Sequence, residues 1–233
     1  MKCARMRKNS WLGIVLLCLS TGCQHETYPD DDLDQAKLIP KKRVEAAKYL
    51  RQFVRSEGKD FEALSKYSEL HKETTKIDPD SCPLCFANYG ASLSRIGIYY
   101  ETLIDVLREE MLRVPPGQKP ALQAKIDNYI ELAKEAYRNS NRQFEVYFRS
   151  ENVDPRTYEW VLRQSVALGD FDSAIYYLDQ FVANARLSAE GEENARALRT
   201  RLNRGQARQR DAQLENELRN DRFFKGLDDA NAN

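Results

Sequence analysis

Histidine is almost missing: His25 and His71 are the only two in 233 residues. That leaves little from which to build a histidine base or a histidine-rich metal site. Glycine is scarce, with 10, and none stands in a Gly-x-Ser-x-Gly elbow or a phosphate-cradling loop. No His-Glu-x-x-His is present. An excess of one charge is also missing. The 36 basic residues are matched by 36 acidic ones, so no global basic field steers the chain to nucleic acid. Carboxylates are so numerous that paired acids arise by chance, and none singles itself out as catalytic. The apolar run Trp11 to Leu19 covers nine residues, against the roughly 20 that span a bilayer. What is present is 42% hydrophobic and 31% charged residues, a balance that favours helices with solvated faces over sheets with tight turns.

Residues 1–22 read as a processing signal. Lys2, Arg5, Arg7 and Lys8 form a positive start, Trp11 to Leu19 the apolar segment, and Ser20-Thr21-Gly22 the small residues before a cleavage point. Cys23 follows directly. "LSTGC" (19–23) resembles the lipobox of bacterial lipoproteins, with Leu19 one place further out than usual and Ser20 in its position. The resemblance implies cleavage before Cys23 and acylation there by palmitate-type chains. One acyl chain holds a protein marginally, and two or three hold it durably. Gln24 is similar to the residue found in lipoproteins sorted to the outer membrane. Processing removes four basic and no acidic residues, leaving 32 against 36, a net charge of −4. Residues 23–36, with Pro29 and four aspartates, then read as an acidic flexible tether.

From Lys37 the pattern is helical. Val44, Ala47, Leu50 and Val54 recur at threes and fours. After Gly58-Lys59-Asp60, so do Phe61, Leu64, Tyr67 and Leu70. Phe86-x2-Tyr89-Gly90-x2-Leu93, Gly97-Ile98-Tyr99 as a turn, Thr102-x3-Val106 and Pro115-Pro116 resemble the tetratricopeptide repeat. A second match runs from Tyr158 through Val161-Leu162, the turn Leu168-Gly169-Asp170-Phe171, and Ala174-x3-Leu178, with Leu162 where the family prefers glycine. The resemblance covers 41–186 and is strongest at 83–116 and 155–184. Between them, Lys119 to Ser150 reads as a long, divergent hairpin with a candidate break at Asn139-Ser140-Asn141, or as one long helix. Residues 187–222 are charged and sparsely apolar, with Leu198, Leu202, Leu214 and Leu218. They suit a terminal helix capping the array, its arginines on a solvated face. Residues 223–233 read as a disordered tail. The expected fold is therefore all-α: a superhelical array of antiparallel, tetratricopeptide-like hairpins over 37–186 with a charged C-terminal helix.

Cys82 and Cys85 form a Cys-x-x-Cys at a helix start, with Pro83 at the first helical position. No βαβ pattern surrounds them, and Phe86 stands where haem attachment needs histidine. With His71 they make three zinc ligands, without an evident fourth. A disulfide, unpaired thiols, and redox or metal chemistry stay open, and an oxidising compartment weighs towards the bridge.

These readings converge on a non-enzymatic protein with no cofactor and no metal. It is expected to be a lipid-anchored scaffold on the periplasmic face of the outer membrane that binds envelope proteins and no nucleic acid. In tetratricopeptide arrays the first helix of each hairpin lines the concave side. The resemblance therefore implies a partner groove at Ser94, Arg95, Arg156, Glu159 and Arg163. The alternative is a periplasmic thiol–disulfide redox protein using Cys82 and Cys85.

Overall fold

The chain divides into two compact units, Met1–Asp34 and Gln35–Asn233. The computed structural model describes residues 33–79, 82–185 and 187–220, so nearly all that follows belongs to the second unit. The signal, Cys23 and the 223–233 tail lie outside the described residues.

The fold is all-α, with no strand among the described residues. Seven helices follow one another among the described residues: α1 Leu33–Arg55, α2 Phe61–Ile77, α3 Pro83–Met111, α4 Lys119–Tyr147, α5 Arg156–Leu168, α6 Phe171–Asn184 and α7 Ala189–Asn220. α1 begins inside the stretch read as tether.

Local chemistry explains the short turns. After α1, Gly58 takes φ +79°, a conformation that costs glycine nothing. Asp60 then caps α2, its side chain accepting from the Ala63 amide at 2.9 Å. The same device repeats later. Gly169 ends α5 at φ +73°, and Asp170 caps α6 by accepting from the Ser173 amide at 3.0 Å. Between α3 and α4, Pro116–Gln118 form a single 3-10 turn.

Neighbours in sequence pack antiparallel. Lys42 meets Glu73 while Gln52 meets Asp60 at the other end of the α1–α2 pair. Ser68 bonds Ser92, and Phe61 stacks on Tyr99, between α2 and α3. On α7, Arg199 pairs with Asp179 of α6, and Gln206 with Asp172. Many of the buried apolar residues gather in three successive clusters. One is built on Ala46, Leu64, Tyr67 and Leu70, the next on Ala87, Phe144, Tyr147 and Val161, the last on Leu162, Ala174, Leu178 and Leu202. Each cluster is made by consecutive helices, as in a quasi-one-dimensional array.

The principal departure from expectation is at 83–116. No turn forms at Gly97-Ile98-Tyr99: α3 runs unbroken for 29 residues. Its partner is α4, also 29 residues, so the segment read as a hairpin is one helix that ends at Tyr147. Two facts account for this. No capping residue follows Gly97 to restart a helix, and α3 carries small residues on one face at Gly90, Ser94 and Gly97. A methyl placed on Gly97 would lie 2.3 Å from the Tyr137 ring, and one on Gly90 would lie 3.1 Å from the Phe144 ring. The aromatic rings of α4 fill the space the glycines leave. Glycine in a helix interior costs about 1 kcal/mol against alanine, a cost that tight burial of two aromatic rings exceeds. Asn139-Ser140-Asn141 does not break α4, because Ser140 is buried and donates to the Gly90 carbonyl at 2.8 Å.

The apolar face of α1 also differs. Val44 is 62% exposed, and the buried side is carried by Ala46, with Tyr49, Leu50 and Phe53 packed around it. Along α7, Leu202 is buried, and Ala195 and Leu198 pack beside it.

Candidate functional site

The residues expected in the groove fall into two groups. Ser94 is not on a surface: it is 1% exposed. Its hydroxyl reaches the Gly90 carbonyl at 3.0 Å and the Ser140 hydroxyl at 2.8 Å, and it accepts from Gln164 of α5. The correction has a physical cause. Ser94 shares the small-residue face of α3 with Gly90 and Gly97, and α4 and α5 cover that face. Gln164 and Ser165 complete this buried polar layer, leaving Gln164 Oε1 and Ser165 Oγ without partners.

Arg95, one residue on, points the other way and is half-buried. Its guanidinium lies 5.6 Å from the centroid of the Tyr67 ring on α2 and 5.6 Å from that of Trp160 on α5. It donates to the Tyr67 hydroxyl at 3.3 Å and to the Ala91 carbonyl at 3.2 Å. No carboxylate among the described residues lies within ion-pairing distance of it. The side chain is thus held between α2 and α5 by rings and neutral acceptors.

Arg156, Trp160 and Arg163 recur at four and three on α5, so they share one face of that helix. Arg163 is exposed and pairs with Glu159 one turn earlier. Arg156 is exposed, its amide held by Asp154 at 3.0 Å. The structure therefore brings Arg95 to the same α5 face as Arg156, Glu159 and Arg163, with Trp160 as the link. The sequence reading placed Tyr67 only in an apolar stripe and did not single out Trp160. Their role comes from a guanidinium on another helix.

A second cluster lies further along α2. His71 is 6% exposed, packs edge-on against Tyr67 and has no partner for Nδ1. Burial, then the positive charges of Arg95 and Arg43, push its pKa down to about 4. It is neutral at pH 7. Arg43 reaches from α1 over the start of α3, where Cys82 and Cys85 are joined by a disulfide. Its Nη2 lies 3.4 Å from Cys82 Sγ and 3.6 Å from Cys85 Sγ, and its Nε is buried without a partner. Like Arg95, Arg43 has no carboxylate within pairing distance among the described residues. Two uncompensated cations therefore act on one neutral histidine.

Among the described residues, no group of three or more His, Cys, Asp or Glu is placed to hold a metal ion. No described helix is long and apolar enough to cross a membrane. A broadly open depression of about 740 Å³ runs along Pro40, Val44, Lys48 and Gln52 of α1. It is formed by a single helix face and gathers no cluster comparable to those around Arg95 and Arg43. Compared with known protein families, curated proteins and solved structures, the chain finds no match.

Proposed function

We propose that the chain is a lipid-anchored, tetratricopeptide-like interaction module of the bacterial envelope. In this reading the Arg95 cleft receives a carboxylate-bearing segment of a partner protein. One observation carries it: Arg95 is held by Tyr67, Trp160 and a backbone carbonyl, and no acidic group among the described residues neutralises it. A half-buried guanidinium without a counter-ion is a site already shaped for one, since its planar fork binds carboxylates bidentately. Arg163 and Arg156 extend the positive face along α5. The helical frame supplies the rigidity that lowers the cost of binding. Residues 1–22 are then the cleaved signal and Cys23 the acylated terminus, standing the module close to the membrane, most simply the outer membrane.

Trp160 gives a direct test. Once residues 1–22 are removed, Trp160 is the one tryptophan left, and its emission reports on the cleft. Adding a glutamate-rich peptide is expected to shift that emission in a saturable way. The double change Arg95→Glu with Arg163→Glu should abolish the shift and leave helix content by circular dichroism intact. Interface arginines that act as anchors cost about 2 kcal/mol or more on removal, so affinity should fall at least ~30-fold. Equal binding by the doubly changed protein would end the proposal. The anchor is checked separately: mass spectrometry of the cell-derived protein should find acyl mass on Cys23, and an unmodified soluble form would count against it.

A further inference from the structure

The Cys82–Cys85 bridge has features that an inert staple does not require. Cys82 is half-exposed, whereas Cys85 is fully buried. An incoming sulfur can therefore approach Cys82 far more readily than Cys85. The bridge sits at the N-terminal end of the 29-residue helix α3, and no side chain caps that end. The helix dipole there favours negative charge. Arg43 adds a guanidinium within 3.6 Å of both sulfurs, unneutralised by any described carboxylate. A disulfide is a poor acceptor and makes little use of such a donor. A thiolate is a strong one.

We propose that Cys82 and Cys85 form a thiol–disulfide exchange site that oxidises dithiols of other proteins. Arg43 is the positioning cation for the departing sulfurs. A substrate thiolate attacks Cys82 Sγ along the S–S axis. A new bond joins the substrate sulfur to Cys82, the Cys82–Cys85 bond breaks, and its electron pair leaves on Cys85, which becomes a thiolate against Arg43. The substrate's second thiolate then attacks its own sulfur in this mixed disulfide and expels Cys82 as a thiolate, again against Arg43. The substrate loses two electrons and the site gains them. The same guanidinium serves both steps because it reaches both sulfurs. By stabilising the reduced form it makes the pair more oxidising than an unassisted bridge. His71, neutral beside Arg43, does not compete for the role of cation. This activity is independent of what occupies the Arg95 cleft.

Three measurements on the purified full-length protein test it. In buffers of reduced and oxidised glutathione, followed by alkylation and mass analysis, the folded protein should exchange reversibly. Arg43→Met should shift that equilibrium towards the disulfide by roughly tenfold, about 30 mV for a two-electron couple, and Arg43→Lys should restore most of the shift. Cys82 alone, in Cys85→Ser, should form a mixed disulfide with oxidised glutathione, while Cys85 alone, in Cys82→Ser, should stay free. A reduced, unfolded test protein with one cysteine pair should be oxidised faster by the wild type than by Arg43→Met. A bridge that resists reduction until the protein unfolds would overturn the proposal, as would an Arg43→Met equilibrium identical to the wild type. Should Arg43→Met not fold, the two single-cysteine variants decide: equal reactivity of Cys82 and Cys85 rejects the assignment.

Discussion

Gly97→Val is expected to lower the unfolding free energy by about 3 kcal/mol, beyond the usual range for a surface glycine, because it overpacks a buried contact. The Tyr137 ring occupies the space where a side chain on Gly97 would begin, with its Cε1 2.3 Å from the first carbon. Tyr137 is 4% exposed, and burial together with the nearby Glu101 raises its hydroxyl pKa. The ring has little room to swing aside. Gly97→Ala separates two opposing effects. Alanine gains about 1 kcal/mol of helix propensity, while overpacking costs about 1–3 kcal/mol, so the alanine variant should lose roughly 1 kcal/mol. In a Tyr137→Leu background the obstruction is gone and the propensity remains. There the same Gly97→Ala change should be neutral or stabilising. Urea unfolding of the four proteins measures this reversal directly. Were Gly97 part of a hairpin turn, alanine would carry the same cost in both backgrounds.

That contrast locates what the sequence could and could not convey. The turns at 56–60 and 168–171 were legible because their chemistry is local. A glycine that can take positive φ is followed by an aspartate that caps the next helix, all within a few residues. Gly90 was legible too, as the small position of the repeat motif. Its partner was not. Gly97 reads as punctuation in isolation and becomes a packing surface only when Tyr137, forty residues on, lies across it. Ser94 failed for the same reason. Nothing local in Ser92-Leu93-Ser94-Arg95 shows which side of the helix is covered, and the burial of Ser94 comes from Ser140 and Gln164 on two other helices. On α1, Val44 stands two residues from the true core position Ala46. A helix with many charges fixes its apolar phase only loosely, and α2 settles which side is covered.

The candidate sites divide in the same way. Arg95, Arg156, Glu159 and Arg163 could be named from the expectation that one helix of each hairpin faces a partner. Trp160 and Tyr67, which hold Arg95, could not. The Cys-x-x-Cys was visible at once, but the residue that gives it chemical interest is Arg43, some forty positions earlier. Nothing in a run of Lys41, Lys42 and Arg43 distinguishes the one arginine that turns inward. In both clusters the charge was readable and its surroundings were not.

His71 joins the two clusters, and its protonation should set how stability depends on pH. In the folded protein its pKa is lowered to about 4, by burial first and then by Arg95 and Arg43. In the unfolded chain it returns to an ordinary value near 6.5. As pH falls below about 6.5, the unfolded chain takes up a proton that the folded protein refuses, so stability is lost. Above that value both states are neutral at this position and the histidine contributes no pH dependence. The loss should reach about 2 kcal/mol at pH 5 and about 3 kcal/mol once the pH is below 4, where both states are protonated. Carboxylates such as Glu73, held low by Lys42, also weaken the fold in acid, so the wild type alone is not diagnostic. His71→Leu removes the titrating group and retains an apolar partner for Tyr67. Because Nδ1 has no hydrogen bond to lose, this variant should be close to the wild type at pH 7.5 or so and the more stable of the two by about 2 kcal/mol at pH 5. Unfolding curves in urea at a series of pH values measure the difference with the carboxylate contribution common to both. If the two proteins lose stability in parallel between about pH 7 and pH 4, His71 is protonated as readily in the folded state as in the unfolded one, and the two arginines do not act on it.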